Sequence, residues 1–211
     1  MRGLLYRFWY RLRAQFGGTR LEAGRLLSVQ GRLRLRGPGT VRVGDDVIID
    51  SQTDIYTYSD ETVVCVGHRC YLNGTRMGVR EKVEIGDDVI LADVRIMDTD
   101  FHSLSKGRRW KTAPVGVMPV YIENNVWVAA GSAILKGVRV GENSVVGFGS
   151  VVVKDIPRNS LAAGNPCKPV GTIPDVDDPE FEQAPNKQSL GATRSQIDHR
   201  SIPRPERRPS A

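Results

Sequence analysis

The chain has 211 residues and a formal net charge of +6, a size that allows one sizeable core and at most a small second domain. Nine arginines and one glutamate fall within residues 1–36, so the basic charge belongs to the N-terminal segment. No apolar run reaches the roughly 18 residues that span a bilayer, and the arginines interrupt any apolar region of a signal peptide. We therefore expect a cytoplasmic protein with one folded body and no nucleic-acid partner.

Residues 1–36 are predicted to form a basic amphipathic helix and a lead-in to the folded body. Large apolar residues recur there at helical spacing between arginines, namely Leu4, Leu5, Phe8, Trp9, Leu12 and Phe16. Such a helix can lie on an anionic membrane surface, or it can cap one open end of the core with its arginines in solvent. Both interpretations stay open, and peripheral contact with the inner membrane surface is therefore an expectation.

A six-residue period dominates the middle of the chain. From Ile122 the sequence reads IENNVW, VAAGSA, ILKGVR, VGENSV, VGFGSV and VVKDIP, with an aliphatic first residue and a small or β-branched fifth residue in every unit. Related units begin at Val43, Ile49, Val66, Leu72, Ile85 and Leu91. β-Branched residues favour extended backbone, and three such units would close one triangular coil whose stacking buries an aliphatic column. We predict an all-β fold, with a β-helix over residues 37–173.

The period is interrupted between Met97 and Val120, which predicts an excursion loop over residues 98–119. Loops of this length in a compact domain are usually functional or disordered. This one contains His102 together with Arg108, Arg109, Trp110 and Lys111, so we expect it to shape a site. Six prolines, mixed charge and few large apolar residues predict a disordered tail over residues 174–211.

Three segments carry a resemblance to a known family: IGDDVILADVRIMDTDFHS, VWVAAGSAILKGVRVGENSVVGFGSVVVKDIP and AAGNPCKP. They resemble the hexapeptide-repeat O-acetyltransferases, and are similar to the galactoside and maltose acetyltransferases and to those of exopolysaccharide biosynthesis. The resemblance implies a left-handed parallel β-helix that assembles as a homotrimer, with active sites between neighbouring subunits. It also implies acetyl-CoA as the acyl donor and a hydroxyl of a sugar or glycan as the acceptor.

His102 occupies the position of the family's catalytic histidine. An alcohol attacks a thioester only if its proton is removed as the bond forms, and an imidazole, with an ordinary pKa of about 6.5, can accept that proton near neutrality. Asp98, Asp100 or a backbone carbonyl could hold the imidazole tautomer, and spacing does not decide among them. Asp100 is also predicted to lie on the acceptor side of the site.

The resemblance assigns further residues to the two substrates. Asn73 matches an asparagine near the acceptor, although it could equally form a corner turn of the coil. Trp127 matches an aromatic wall beside the acetyl group, although a tryptophan on a β-helix face is also an ordinary packing residue. Developing negative charge on the thioester oxygen needs a fixed donor, which the resemblance assigns to the N–H of Ala130. The residues that it matches to the coenzyme A side are Gly147 and Phe148 along the pantetheine arm, and Lys154 and Lys168 near the phosphates.

Three alternative functions differ from this one. An N-acetyltransferase acting on an amino sugar would share the fold and the base. A noncatalytic β-helix scaffold would explain the repeats but not the histidine-bearing loop. A zinc enzyme on this fold would need three imidazoles around each metal ion, and His68 and His102 have no suitably spaced third partner, so no metal site is expected.

Overall fold

The computed structural model describes residues 18–174, and within them every regular element is a β-strand. The expected N-terminal amphipathic helix and C-terminal tail lie outside the described residues, apart from Pro174. No helix among the described residues is long and apolar enough to cross a membrane.

The strands form three parallel sheets that the chain visits in turn, which is the arrangement of a β-helix with a triangular cross-section. Sheet A contains β1 (Arg20–Ala23), β4 (Thr40–Val43), β7 (Val63–Val66), β10 (Lys82–Ile85), β13 (Val120–Ile122) and β16 (Arg139–Val140). Sheet B contains β2 (Ser28–Val29), β5 (Ile48–Asp50), β8 (Tyr71–Asn73), β11 (Ile90–Ala92), β14 (Trp127–Val128), β17 (Val145–Val146), β19 (Ser160–Gly164) and β20 (Cys167–Thr172). Sheet C contains β3 (Arg32–Arg36), β6 (Gln52–Thr57), β9 (Arg76–Val79), β12 (Arg95–Met97), β15 (Ala133–Ile134) and β18 (Val151–Val152).

Each coil therefore has three corners, and most of the predicted site residues lie at these corners. We name them by the sheets they join: the A–B corner, the B–C corner and the C–A corner. The C-terminal end is closed by β20, which turns back to pair antiparallel with β19. All other strand pairs are parallel and join equivalent strands of successive coils.

The six-residue period describes how the core is filled. The first residues of the units from Ile122 to Val152 are all buried, with exposures of at most 2%, and they belong to one continuous apolar core. The fifth residues are buried as well, including Ser132, Ser144 and Ser150 beneath the corners. Small side chains suit these places because the backbone bends there towards the next sheet.

The β-helix begins earlier than predicted. Strands β1 to β3 already form a coil within residues 20–36, a segment for which the sequence predicts the helix and lead-in. Leu21, Leu27 and Leu33 are buried six residues apart, in the same period as the later coils. The surrounding arginines point outwards and hide this period in the sequence, because a half-buried strand needs an apolar residue only on its inner face.

Candidate active site

The excursion is closed at its base. Thr99 and Val117 form an antiparallel bridge, the N–H of Asp100 donates to the carbonyl of Gly116 at 3.0 Å, and the N–H of Met118 donates to the carbonyl of Asp98 at 2.9 Å. The strands on either side end at Met97 and begin again at Val120. The two ends of the loop are thus held side by side at the C–A corner, and His102 follows immediately.

Phe101, the residue directly before His102, is anchored by packing against sheet C. Its ring lies on Gly78 of β9, one coil away, and its centroid is 5.4 Å from that of Tyr58 in an edge-to-face arrangement. Phe101 also has a φ of 61°, in the left-handed region that residues with a Cβ rarely adopt. Packing against sheet C therefore determines the direction in which the chain enters His102.

His102 lies in an open cleft beneath the excursion. Its backbone N–H donates to the carbonyl of Asp100 at 2.7 Å, but its exposed imidazole forms no hydrogen bond with any other residue of the described range. The cleft has a volume of about 440 Å³ and is also lined by Arg80, Phe101, Ser103, Arg108, Trp110, Lys111, Ala113, Val115 and Val117. Neither ring nitrogen of His102 is therefore occupied by a described residue.

The two nearby carboxylates have other partners. Asp98 is fully buried and accepts the backbone N–H groups of Arg80, Glu81 and Lys82 at 2.8, 2.6 and 2.9 Å. Burial raises the pKa of this carboxyl, while the three donors act in the opposite direction. Asp100 forms an ion pair with Lys136 at 2.9 Å. Within this chain, neither candidate holds the imidazole of His102.

A second group of candidate residues lies at the B–C corner. Asn73 ends β8, Ala130 follows β14, and Gly147 and Phe148 follow β17. Lys168 on β20 pairs with Ala163, whose Cβ would be 3.2 Å from a methyl group added to Gly147. The structure therefore groups these residues along one edge of the β-helix.

This edge changes shape between successive coils. In the coil of β11 and β12, the paired inward residues Leu91 and Ile96 are five positions apart, whereas their partners Val128 and Ile134 in the next coil are six apart. The extra residue places Ala130 in a wider turn, where its N–H donates no hydrogen bond to another described residue. An N–H without a described acceptor is the kind of donor that can stabilise an oxyanion.

Trp127 lies on the outer face of sheet B and is 48% exposed. It belongs to a row of apolar side chains that the strand register brings side by side, which we call the sheet B apolar row: Ile48, Tyr71, Ile90, Trp127, Val145 and Leu161. Six neighbouring apolar residues on one outer face are typical of a binding surface.

The predicted site residues thus do not meet in one chain. His102 and Asp100 are at the C–A corner, whereas Asn73, Ala130, Gly147 and Phe148 are at the B–C corner. Lys154 follows β18 of sheet C, so it lies at the corner of His102 and apart from Gly147 and Lys168. Within the described residues, a single chain thus holds the predicted residues in two separate groups, which we call half-sites: one with the imidazole and one with the small-residue edge.

His68 is separated from His102 by the fold. It follows β7 at the A–B corner, where its Nδ1 accepts the backbone N–H of Asp45 at 3.0 Å. That contact gives His68 a place in a corner turn of the coil.

Three residues near His102 are not evident from the sequence: Gly78, Arg80 and Lys136. All three come from neighbouring coils and approach the excursion only through the strand register. The outward glycine in β9 was the available signal, since glycine in a strand often marks the close approach of another group.

Comparison with known proteins supports the repeat and the likeness predicted from the three sequence segments. Residues 119–154 match the family model described as bacterial transferase hexapeptide (six repeats). The chain is 44% identical over 93 residues to the galactoside O-acetyltransferase of Lactococcus lactis, an alignment that covers 44% of each protein. The chain thus spans less than half the length of the curated relatives it matches.

Two solved structures share the fold over a larger part of the chain. A galactoside acetyltransferase in complex with coenzyme A is 27% identical, with a TM-score of 0.54, and the match covers 79% of this chain and 70% of that one. A hexapeptide-repeat-containing acetyltransferase from Vibrio cholerae is 26% identical, with a TM-score of 0.55 and coverages of 79% and 80%. The resemblance inferred from the sequence is confirmed: the chain carries the bacterial transferase hexapeptide repeat and is similar to the hexapeptide-repeat acetyltransferases.

Proposed function

We propose that the chain transfers an acetyl group from acetyl-CoA to a hydroxyl of a sugar or polysaccharide precursor, with His102 as the general base. The observation that carries this proposal is the imidazole itself, which is free of described hydrogen-bond partners in an open cleft at the closed base of the excursion. The likeness to galactoside acetyltransferases, one of them in complex with coenzyme A, supports the donor and the acceptor class.

The reaction needs no covalent enzyme intermediate. His102 accepts the proton of the acceptor hydroxyl as its oxygen attacks the thioester carbon. The carbonyl oxygen becomes an oxyanion, and the N–H of Ala130 is suited to bind it. When the tetrahedral species collapses, the C–S bond breaks, and the proton held by His102 passes to the departing thiolate of coenzyme A.

The B–C corner suits an extended thiol-bearing donor. Gly147 has no side chain, Phe148 is 80% exposed, and Ala130 lies directly in line with them one coil earlier. A pantetheine arm could lie along this edge, with Lys168 near the phosphates at its far end. Lys154 lies at another corner and would reach the same donor only from a different copy of the chain.

We further propose that the active site forms between copies of the chain in a homotrimer. The two half-sites are on different corners of one β-helix, so a complete site needs the His102 corner of one copy beside the B–C corner of another. The sheet B apolar row supports this association, because it offers a surface that a second copy can cover. In this assembly, Trp127 would serve both as a contact and as a wall of the site.

The experiment that tests the function combines two measurements on the full chain. Acetyl-CoA is incubated with a panel of sugars, and both the free thiol of coenzyme A and the mass of each sugar are followed. The proposal predicts thiol release that depends on the acceptor, together with a gain of one O-acetyl group. An acetylated amino group would instead assign an N-acetyltransferase, and no release with any acceptor would contradict catalysis.

The N-terminal arginines support a further proposal, that the chain contacts anionic membrane surfaces peripherally. Flotation with anionic liposomes would compare the wild type with a variant in which Arg2, Arg7, Arg11 and Arg13 are changed to glutamine. Equal flotation of the two proteins would remove the proposal.

A further inference from the structure

The His102 cleft is strongly basic on its described surface. Arg80, Arg108 and Lys111 line it, and no aspartate or glutamate is among its described lining residues. Arg80 comes from the corner after β9, whereas Arg108 and Lys111 come from the excursion, so the positive charges approach from two separate parts of the chain. A concave surface with one sign of charge attracts ligands of the opposite sign.

The two carboxylates at the root of the excursion are engaged with other groups. Asp98 lies buried and is fully engaged with three backbone N–H groups, and Asp100 is paired with Lys136. Within the described range, no ion pair joins Arg80, Arg108 or Lys111 to a carboxylate. Three cationic side chains and no carboxylate therefore line the described surface of the cleft around His102.

Several other exposed arginines of the β-helix form ion pairs with glutamates. Arg42 pairs with Glu22 at 2.9 Å, Arg139 with Glu123 at 2.9 Å and Arg158 with Glu142 at 3.1 Å, in each case across neighbouring coils. These pairs offset the positive charge of the arginines on the outer faces of the β-helix. Arg80, Arg108 and Lys111 form no such pair with a described carboxylate, although Glu81 is next to Arg80 in the sequence.

Arg80 is also held in place before any ligand arrives. Its backbone N–H donates to Asp98 at 2.8 Å, its carbonyl accepts the hydroxyl of Thr62 at 2.9 Å, and its guanidinium lies 5.6 Å from the ring centroid of Tyr58. Anchoring at both ends of the residue reduces the entropy lost when the guanidinium binds a ligand. A guanidinium presented in this way is suited to a carboxylate or a phosphate.

We infer that the acceptor carries an anionic group, a carboxylate or a phosphate, close to the hydroxyl that is acetylated. Arg80 binds this group, Arg108 and Lys111 close over it from the excursion, and His102 faces the hydroxyl. This inference rests on the proposed function and names its acceptor class: acidic sugars or sugar phosphates rather than neutral glycosides.

Matched sugars test the inference by two readouts. Binding of galactose, galacturonic acid and galactose 1-phosphate to the full chain is measured by calorimetry, and acceptor-dependent thiol release is measured with the same three compounds. We expect at least one anionic sugar to bind about tenfold more tightly than galactose, as charge-assisted pairs allow. Whether galacturonic acid or galactose 1-phosphate binds better identifies the group as a carboxylate or a phosphate.

Arg80→Gln should remove most of this preference, and Arg108→Gln and Lys111→Gln should each reduce it. Arg32→Gln is the matched control, because Arg32 is an exposed arginine at the start of β3, three strands from β12 in sheet C. Equal or tighter binding of galactose, or no binding of either anionic sugar, would overturn the inference. So would an Arg80→Gln variant that raises only the KM for acetyl-CoA, since the cations would then serve the donor.

The two readouts separate the inference from the function. Faster thiol release with galactose than with the anionic sugars would support the acetyltransferase activity and contradict the inference of an anionic acceptor. The opposite result is a binding preference for an anionic sugar that Arg80→Gln abolishes, with no thiol release for any acceptor. It would support the anion site and contradict the proposed function.

Discussion

The ring of Phe101 lies so close to Gly78 that a methyl group on Gly78 would be 2.5 Å from the ring carbon Cζ. The two residues are 23 positions apart in the sequence, and the register of β9 with β12 brings them together. Gly78 thus leaves space for the ring, and the ring fixes the chain immediately before His102. We regard Gly78 and Phe101 as positioning residues for the imidazole.

Gly78→Ala should therefore move His102 without unfolding the β-helix. The added methyl group must displace the ring, an overpacking that typically costs about 1–3 kcal/mol. A shift of the imidazole by about 1 Å can lower kcat by about 100-fold. Thermal unfolding and acceptor-dependent thiol release measure the two effects, and we expect the loss of kcat to exceed what the loss of stability explains.

Removing the ring provides the control for this prediction. Phe101→Ala should lower kcat by itself, because the loop root loses its anchor. In the double variant the methyl group no longer meets a ring, so the stability cost of Gly78→Ala should largely disappear. If the loss of stability in the double variant equals the sum of the losses in the two single variants, direct contact between the two residues is contradicted.

The ion pair between Asp100 and Lys136 offers a second prediction about the loop root. The two side chains are only 20% and 23% exposed and lie 2.9 Å apart, a partly buried pair worth about 1 kcal/mol or somewhat more. Asp100→Asn and Lys136→Met should lower kcat to a similar extent, because either change frees the base of the excursion. If Asp100 instead binds the acceptor, Asp100→Asn alone will raise the KM for the acceptor.

The sheet B apolar row predicts where copies of the chain associate. Ile90 is 44% exposed beside Trp127, and a lysine there would place a charge in the covered surface. We expect light scattering after size exclusion to show a trimer for the wild type and a smaller species for Ile90→Lys. Leu26→Lys is the control, since Leu26 is 72% exposed and lies outside the row. A trimer that withstands Ile90→Lys would place the interface elsewhere.

A site shared between copies predicts complementation of inactive chains. His102→Ala disables one half-site and Asn73→Ala disables the other. When the two variants are unfolded and refolded together, about one quarter of the sites should combine two intact halves if the chains mix at random. Activity that stays at the level of the separate variants would indicate that both residues act within one chain.

The sequence period predicted the core of the β-helix well because burial alone produces it. Units that start at Ile122, Val128 and Ile134 place their first residues inwards without exception. The first coil was missed, because the arginines around Leu33 dominate the local composition. The paired residues Leu72 and Met77 are only five positions apart, whereas the sequence predicts a full six-residue unit from Leu72. A corner that is one residue shorter leaves the aliphatic pattern nearly unchanged.

The site was predictable only in part, for a geometric reason. A histidine in a loop that breaks the period is visible in the sequence. Contacts of that loop with Gly78, Arg80 and Lys136 depend on which residues stack across coils. The separation of His102 from Asn73 likewise depends on which corner each residue occupies, and only the strand order determines this.

The proposed role of His102 as the general base is tested most directly by separating the chemical step from donor binding. His102→Ala and His102→Asn are assayed for kcat by acceptor-dependent thiol release and for the Kd of acetyl-CoA by calorimetry, with His68→Gln as a matched control in a corner turn. We predict that kcat falls about 10²- to 10⁴-fold in both His102 variants, while the Kd and the thermal stability stay unchanged because the imidazole is exposed and forms no hydrogen bond with the described residues. A kcat equal to that of the wild type would contradict the assignment.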